Sequence, residues 1–181
     1  MKIFKPLGLT DFECINVCNP NDYDYETFAT FDGRSLADHW RPVRVRRAQA
    51  DARQACKPSD FPWLGSDALV MRWSAMDTLQ DIWRADGEIL PLDTDDDVEL
   101  FVFNAQVKDA MDDARSSLVT FPETNRIMQV KQIAFIESVI QGVNVFRLPH
   151  RASATYVSQH FVDRVTSAGL CGLEFNCVWT S

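Results

Sequence analysis

The sequence has little of what a membrane-embedded, secreted or nucleic-acid-binding protein needs. None of its runs of strictly apolar residues is longer than four, whereas about 20 are needed to span a bilayer. Lysine and arginine number 18 against 26 acidic residues, and the net charge of −8 disfavours binding to nucleic acid or anionic membranes. The basic opening Met1–Pro6 is followed by no long apolar stretch, so we expect no signal peptide and a cytoplasmic location.

Cysteine is also scarce, and the five cysteines are an odd number, which favours free thiols over a disulfide framework. The pairs Cys14–Cys18 and Cys171–Cys177 could in principle supply four zinc ligands. However, residues 171–179 alternate apolar and polar side chains, which is typical of a half-buried strand. We therefore predict that Cys171 and Cys177 are small core residues and that the protein holds no metal or cofactor.

Recognisable catalytic motifs are missing as well. There is no G-x-G-x-x-G or Walker loop for a nucleotide and no G-x-S-x-G elbow for a nucleophilic serine. The three histidines, His39, His150 and His160, could join a Ser-His-Asp triad only through tertiary geometry. The residues thus favour a binding role over an enzyme. A small hydrolase or nucleotide-handling enzyme with an unmarked active site is the alternative.

Apolar periodicity predicts the fold class. Helical spacing predicts one helix that begins at Ser74 and ends at Gly87, a short one over residues 107–114, and one from Ser158 to Gly169. Strands are predicted over residues 98–103, 133–140, 143–148 and 171–179. Strands outnumber helices and come partly in hairpins, which predicts a single α+β domain over residues 1–181, with a mainly antiparallel sheet and about three short helices.

Two charged segments are candidates for partner binding. One is a run of five carboxylates: Asp93, Asp95, Asp96, Asp97 and Glu99. It lacks the glycine and distal glutamate of an EF-hand loop, so a cation site is disfavoured. The run is either a solvated turn or a surface that steers a basic partner, and we take it as the candidate partner-binding site. The second segment, residues 41–57, is rich in arginine and is interpreted as a solvated face.

The five tryptophans, Trp40, Trp63, Trp73, Trp83 and Trp179, mostly fall within apolar patterns. Base stacking would need an accompanying basic groove, which the composition does not favour. Core packing is therefore the predicted role of the tryptophans.

The order of several short motifs resembles a known family. The motifs are Asp60-Phe61-Pro62-Trp63, Gly87-Glu88-Ile89-Leu90-Pro91-Leu92, Leu100-Phe101-Val102-Phe103-Asn104, Val145-Phe146-Arg147-Leu148-Pro149 and Gly169-Leu170-Cys171-Gly172-Leu173. Their series resembles immunity protein family eleven of bacterial polymorphic toxin systems. The resemblance covers residues 58–179, and the first 57 residues form a divergent N-terminal part.

The resemblance implies a small cytoplasmic protein that binds and neutralises a cognate protein toxin, without catalysis and without a cofactor. Steric occlusion of the toxin's active site is the mechanism that it favours. The matching residues also have structural roles, so no binding residue is carried over from the family. The toxin's activity, the docking surface and the oligomeric state, including a homo-oligomer, stay open.

Overall fold

The described residues of the chain, in a computed structural model, are 1–18, 28, 31–47, 56–65, 68–123, 127–150 and 153–181. The strands are β1 (Lys2–Gly8), β2 (Ile15–Val17), β3 (Arg44–Arg47), β4 (Leu69–Arg72), β5 (Gly87–Pro91), β6 (Asp93–Thr94), β7 (Leu100–Ala105), β8 (Ser117–Thr120), β9 (Ile127–Gln132), β10 (Val145–Phe146), β11 (Tyr156–Ser158) and β12 (Leu173–Thr180). The helices are α1 (Trp73–Thr78), α2 (Gln80–Asp86), α3 (Glu137–Ile140) and α4 (Gln159–Ser167). None of the described helices is long and apolar enough to cross a membrane.

The strands form sheets in the orders β10-β11-β1-β12, β2-β3-β6, β4-β7-β5 and β8-β9. Every pairing between these strands is antiparallel except that of β3 with β6. The predicted single α+β domain with mainly antiparallel sheet is therefore confirmed. The division at residue 57 stays a prediction.

The sheet β4-β7-β5 lies between two apolar clusters, and the alternation of β7 shows why. Phe101 and Phe103 face a cluster that includes Trp83 and Phe161, whereas Leu100 and Val102 face a second cluster beneath β2 and β3. Side chains of a strand point alternately to opposite faces of the sheet. A strand that is apolar on both faces, such as β7, is therefore expected at the centre of a sheet that is covered on both sides. A third cluster joins β1, β10 and the end of β12.

The predicted helix from Ser74 to Gly87 is two helices that meet at Leu79. Ser74 does not cap it, because its hydroxyl donates to the Asp60 carboxylate instead. Gly87, where the helix was predicted to end, is not in the left-handed conformation typical of a helix-terminating glycine: its φ of 166° is extended, and it begins β5. A Cβ at Gly87 would lie 2.3 Å from the Asn104 carbonyl oxygen, so the close approach of β7 is what requires glycine.

Two predicted elements between β7 and β10 are wrong. Residues 107–114 form no helix. Isolated β-bridges pair Val107 with Arg147 and Met111 with Phe135, and this pairing with distant residues replaces the helical hydrogen bonds. The predicted strand over residues 133–140 ends as α3, and the strand of this region is β9. In the first case long-range backbone hydrogen bonds, such as that from Ile136 to the Ala110 carbonyl oxygen (2.8 Å), outweigh the local apolar spacing. In the second case a local helical turn replaces the end of the predicted strand.

The end of the chain follows the prediction closely. Ser158 caps α4 by accepting a hydrogen bond from the backbone N–H of Phe161 (3.2 Å), and Gly169 ends it with a φ of +68°. The predicted last strand is present as β12. The prediction that Cys177 lies in the core is wrong, because a bulge opposite Ile3 and Phe4 interrupts the alternation of β12 and leaves Cys177 exposed.

Candidate partner-binding surface

The five predicted carboxylates lie on the connection from β5 to β7. Asp93 belongs to β6, which pairs in parallel with β3, and the backbone N–H of Leu92 donates to the Leu100 carbonyl (2.9 Å) where the connection closes. The side chains of all five are exposed: Asp93, Asp95, Asp96, Asp97 and Glu99. The structure thus brings the predicted residues together on one surface loop, which we call the acidic loop (residues 93–99).

Hydrogen bonds within the acidic loop hold its shape. The Thr94 hydroxyl lies 2.9 Å from the Asp96 carbonyl oxygen and 2.8 Å from that of Val98. The backbone N–H of Val98 in turn donates to the Asp96 carboxylate at 3.3 Å. Aspartate and threonine form such local bonds readily, so the loop has a fixed path between the two strands.

The basic segment lies directly against the acidic loop. Arg44 Nε and Nη2 lie 2.7 and 2.6 Å from Asp95 Oδ1, and Arg47 Nη2 lies 2.5 Å from Asp96 Oδ2. The hydrogen bond to Asp95, followed by its charge, raises the pKa of Arg44 above its usual value. The arginines therefore compensate two of the five carboxylates, and the mutual repulsion expected of the run is reduced. Arg53 of the same segment lies outside the described residues.

Asp93, Asp97 and Glu99 form no ion pair with any described residue. All three line a shallow cleft of about 420 Å³ together with Pro91 and Phe101. The charges of Asp97 and Glu99 are consequently available to a partner, whereas the charge of Asp93 also contributes to the raised pKa of Arg44.

A second, larger cleft of about 760 Å³ also borders the acidic loop, with Glu13, Val45, Arg47 and Asp96 in its lining. Glu13 is buried, with a side chain 7% exposed, and Arg72 Nη2 lies 2.8 Å from each of its carboxylate oxygens. Arg47 Nη1 lies 3.6 Å from Glu13 and so connects this buried pair to the acidic loop. The lining carries both signs of charge.

Three cysteine thiols have pKa values displaced away from reactivity, and the pKa of one histidine is also shifted. Burial raises the pKa of the Cys14, Cys18 and Cys171 thiols, which disfavours the thiolate that a nucleophile or zinc ligand needs. Burial, followed by the charge of Arg147, lowers the pKa of His150. Among the described residues, no three histidine, cysteine, aspartate or glutamate side chains group as metal ligands.

Sequence reasoning missed one feature of this region. Trp73 was predicted to be core, and Trp83 and Trp179 are indeed buried, but the Trp73 residue is 57% exposed. Its ring packs on Phe101, with 6.0 Å between the ring centroids. Trp83 belongs to the apolar pattern of the helix predicted from Ser74 to Gly87, whereas Trp73 directly precedes that helix.

Comparison with known proteins gives one result for function. Residues 100–180, a little under half of the chain, match the model of an immunity protein family (Imm11). This is the family that the motif order resembles, and the match confirms that resemblance over β7 to β12. No curated protein matches the chain significantly.

Proposed function

With residues 100–180 matching an immunity protein family as the premise, we propose that this protein binds and neutralises a cognate bacterial toxin. The family match is the observation that carries the proposal. We propose further that it acts in the cytoplasm by steric occlusion, covering the toxin's active site without catalysis or a cofactor. Such binding needs an interface of about 1,600 Å² in total and slow dissociation.

The acidic loop supports a basic toxin as the partner. A toxin that acts on nucleic acid, for example, has a basic substrate-binding face, and the charges of Asp93, Asp97 and Glu99 are complementary to it. Electrostatic steering can raise an association rate by 10- to 1,000-fold, and it weakens with salt. We therefore expect the acidic loop to act mainly on the association rate.

Co-expression with the cognate toxin domain, which we expect to be encoded beside the gene, tests the proposed function. Cells should survive when this protein is produced in at least equal amount, because occlusion consumes one inhibitor for each toxin molecule. An inactivated toxin domain serves as the control for expression burden. If trace amounts of the protein protect against a large excess of toxin, an enzymatic antidote, such as a hydrolase, is the correct account. Affinity purification from native cells should recover a stoichiometric protein partner.

Steering is tested by replacing Asp93 and Asp97 with asparagine. The association rate should fall and depend less steeply on salt. Replacing Asp95 or Asp96 would also remove the ion pair with Arg44 or Arg47, so these positions test steering less directly. Glu174→Gln, at an exposed position of β12, removes one charge and is the matched control for each of the two replacements made singly. An unchanged association rate at low salt would exclude the acidic loop as a steering element.

A further inference from the structure

One face of the sheet β4-β7-β5 continues beyond the helices that cover it. Phe103 and Phe101 share this face of β7; Phe103 is buried against α2, whereas Phe101 is only half-buried. Ile89 and Pro91 stand opposite Phe103 and Phe101 in the register of β5, so they share that face. Trp73 packs on Phe101 from the start of α1. We call Trp73, Ile89, Pro91 and Phe101 the aromatic edge.

Trp73 is the most exposed large apolar side chain among the described residues. Single exposed apolar residues are common and need no explanation, but here exposed Trp73 and Pro91 adjoin half-buried Phe101 and Ile89, which pack on the core. A tryptophan held on a packed neighbour loses little conformational entropy on binding, and tryptophan is enriched among residues that dominate binding energy. The aromatic edge therefore has the properties of a binding anchor.

The charge around the aromatic edge indicates what kind of partner would cover it. Glu99 precedes Phe101 by two residues, and Glu99, Asp97 and Asp93 line the same 420 Å³ cleft as Phe101 and Pro91. None of the described residues that line this cleft is basic. A negative cleft beside an indole ring suits a guanidinium or ammonium group, which is attracted to the carboxylates and to the ring face.

We propose that the aromatic edge and the adjoining cleft dock a basic face of the partner protein, with an arginine or lysine of the partner over Trp73. The identity of that partner as the toxin rests on the proposed function. Trp73 supplies binding energy that persists in the complex, so its loss acts on the dissociation rate. This separates the aromatic edge from the steering charges of the acidic loop, whose loss acts on association.

The first experiment measures binding of the cognate toxin domain, expected to be encoded beside the gene, to purified full-length variants. Trp73→Ala should weaken the affinity roughly 10- to 100-fold, mainly through faster dissociation, as for a central anchor residue. Met128→Ala, at an exposed apolar residue of β9, is the matched control and should change the affinity less than about 3-fold. Thermal unfolding of each variant shows whether it is folded. If Trp73→Ala is folded and binds as tightly as the unchanged protein, the inference is wrong while the proposed function stands.

The second experiment does not depend on the toxin. The probe is an acetylated hexa-arginine amide, followed through the indole N–H resonance of Trp73, which Trp73→Phe identifies. The resonance should shift at low salt, shift less in Glu99→Gln, and stay unchanged with hexa-glutamate. If the unchanged protein does not bind the toxin domain, the proposed function fails, and this experiment alone decides the inference. A Trp73 resonance that does not respond to hexa-arginine overturns the basic docking surface.

Discussion

Glu13→Gln should destabilise the protein by about 2–3 kcal/mol, because the buried carboxylate holds three segments together. It accepts hydrogen bonds from Arg72 Nη2 on β4 and from the backbone N–H of Ser59 (2.9 Å), and Arg47 of β3 lies 3.6 Å away. Breaking a buried ion pair by removing one partner costs about 3–5 kcal/mol. The Arg72 side chain is 23% exposed, so water can partly hydrate the charge left behind, and we place the cost below that range.

Geometry explains why glutamine cannot replace Glu13. The amide retains one oxygen acceptor, but its NH₂ group would face the guanidinium of Arg72, which only donates. The Arg72 Nε–H already donates to the Ser59 carbonyl oxygen at 2.8 Å, so the guanidinium cannot turn toward solvent without losing that bond as well. The loss should therefore appear as reduced stability and not as a simple rearrangement.

Urea unfolding of a double-mutant cycle measures this interaction. Glu13→Gln and Arg72→Gln should each destabilise, and the double variant should lose about 1–3 kcal/mol less than the two single losses added together. Asp32→Asn is the control, because it removes an exposed ion pair with Arg34 and should change stability by less than about 0.5 kcal/mol. An additive cycle, or a loss below about 0.5 kcal/mol for Glu13→Gln, would refute the reasoning.

Two further predictions concern the core. Phe161→Ala should lower the free energy of unfolding in urea by about 3–5 kcal/mol, because the fully buried ring of Phe161 packs against Trp83 and Phe175. Phe175 is only half-buried, so Phe175→Ala should cost clearly less. Equal losses for the two variants would contradict this account of the cluster. Burial raises the pKa of Tyr156 from 10.0 to about 12 in the folded protein. Its phenol therefore ionises more easily in the unfolded chain, and the free energy of unfolding should fall as pH rises from about 10 toward 12. Tyr156→Phe should lose stability less steeply over that interval, and parallel slopes would contradict the assignment.

Local signals were sufficient where an element needs little from the rest of the chain. The serine cap and terminal glycine of α4 act through bonds within a few residues, so the sequence determined both ends of that helix. The apolar run of β7 likewise predicted a central strand, because burial on both faces requires apolar residues at successive positions. The carboxylates of the acidic loop all fall within residues 93–99, so they had to lie on one connection.

Tertiary structure decided what depends on distant partners. Ala110 of the predicted second helix is buried, and its carbonyl accepts a hydrogen bond from Ile136, a contact that no local pattern contains. Arg44 and Asp95 are 51 residues apart, and only the parallel pairing of β3 with β6 brings them together. Trp73 and Trp83 were both predicted to be core residues, yet Trp73 is exposed beside Phe101 and Trp83 is buried against Phe103. Sequence thus determined the local elements, while long-range pairing determined which charges and aromatic rings remain for a partner.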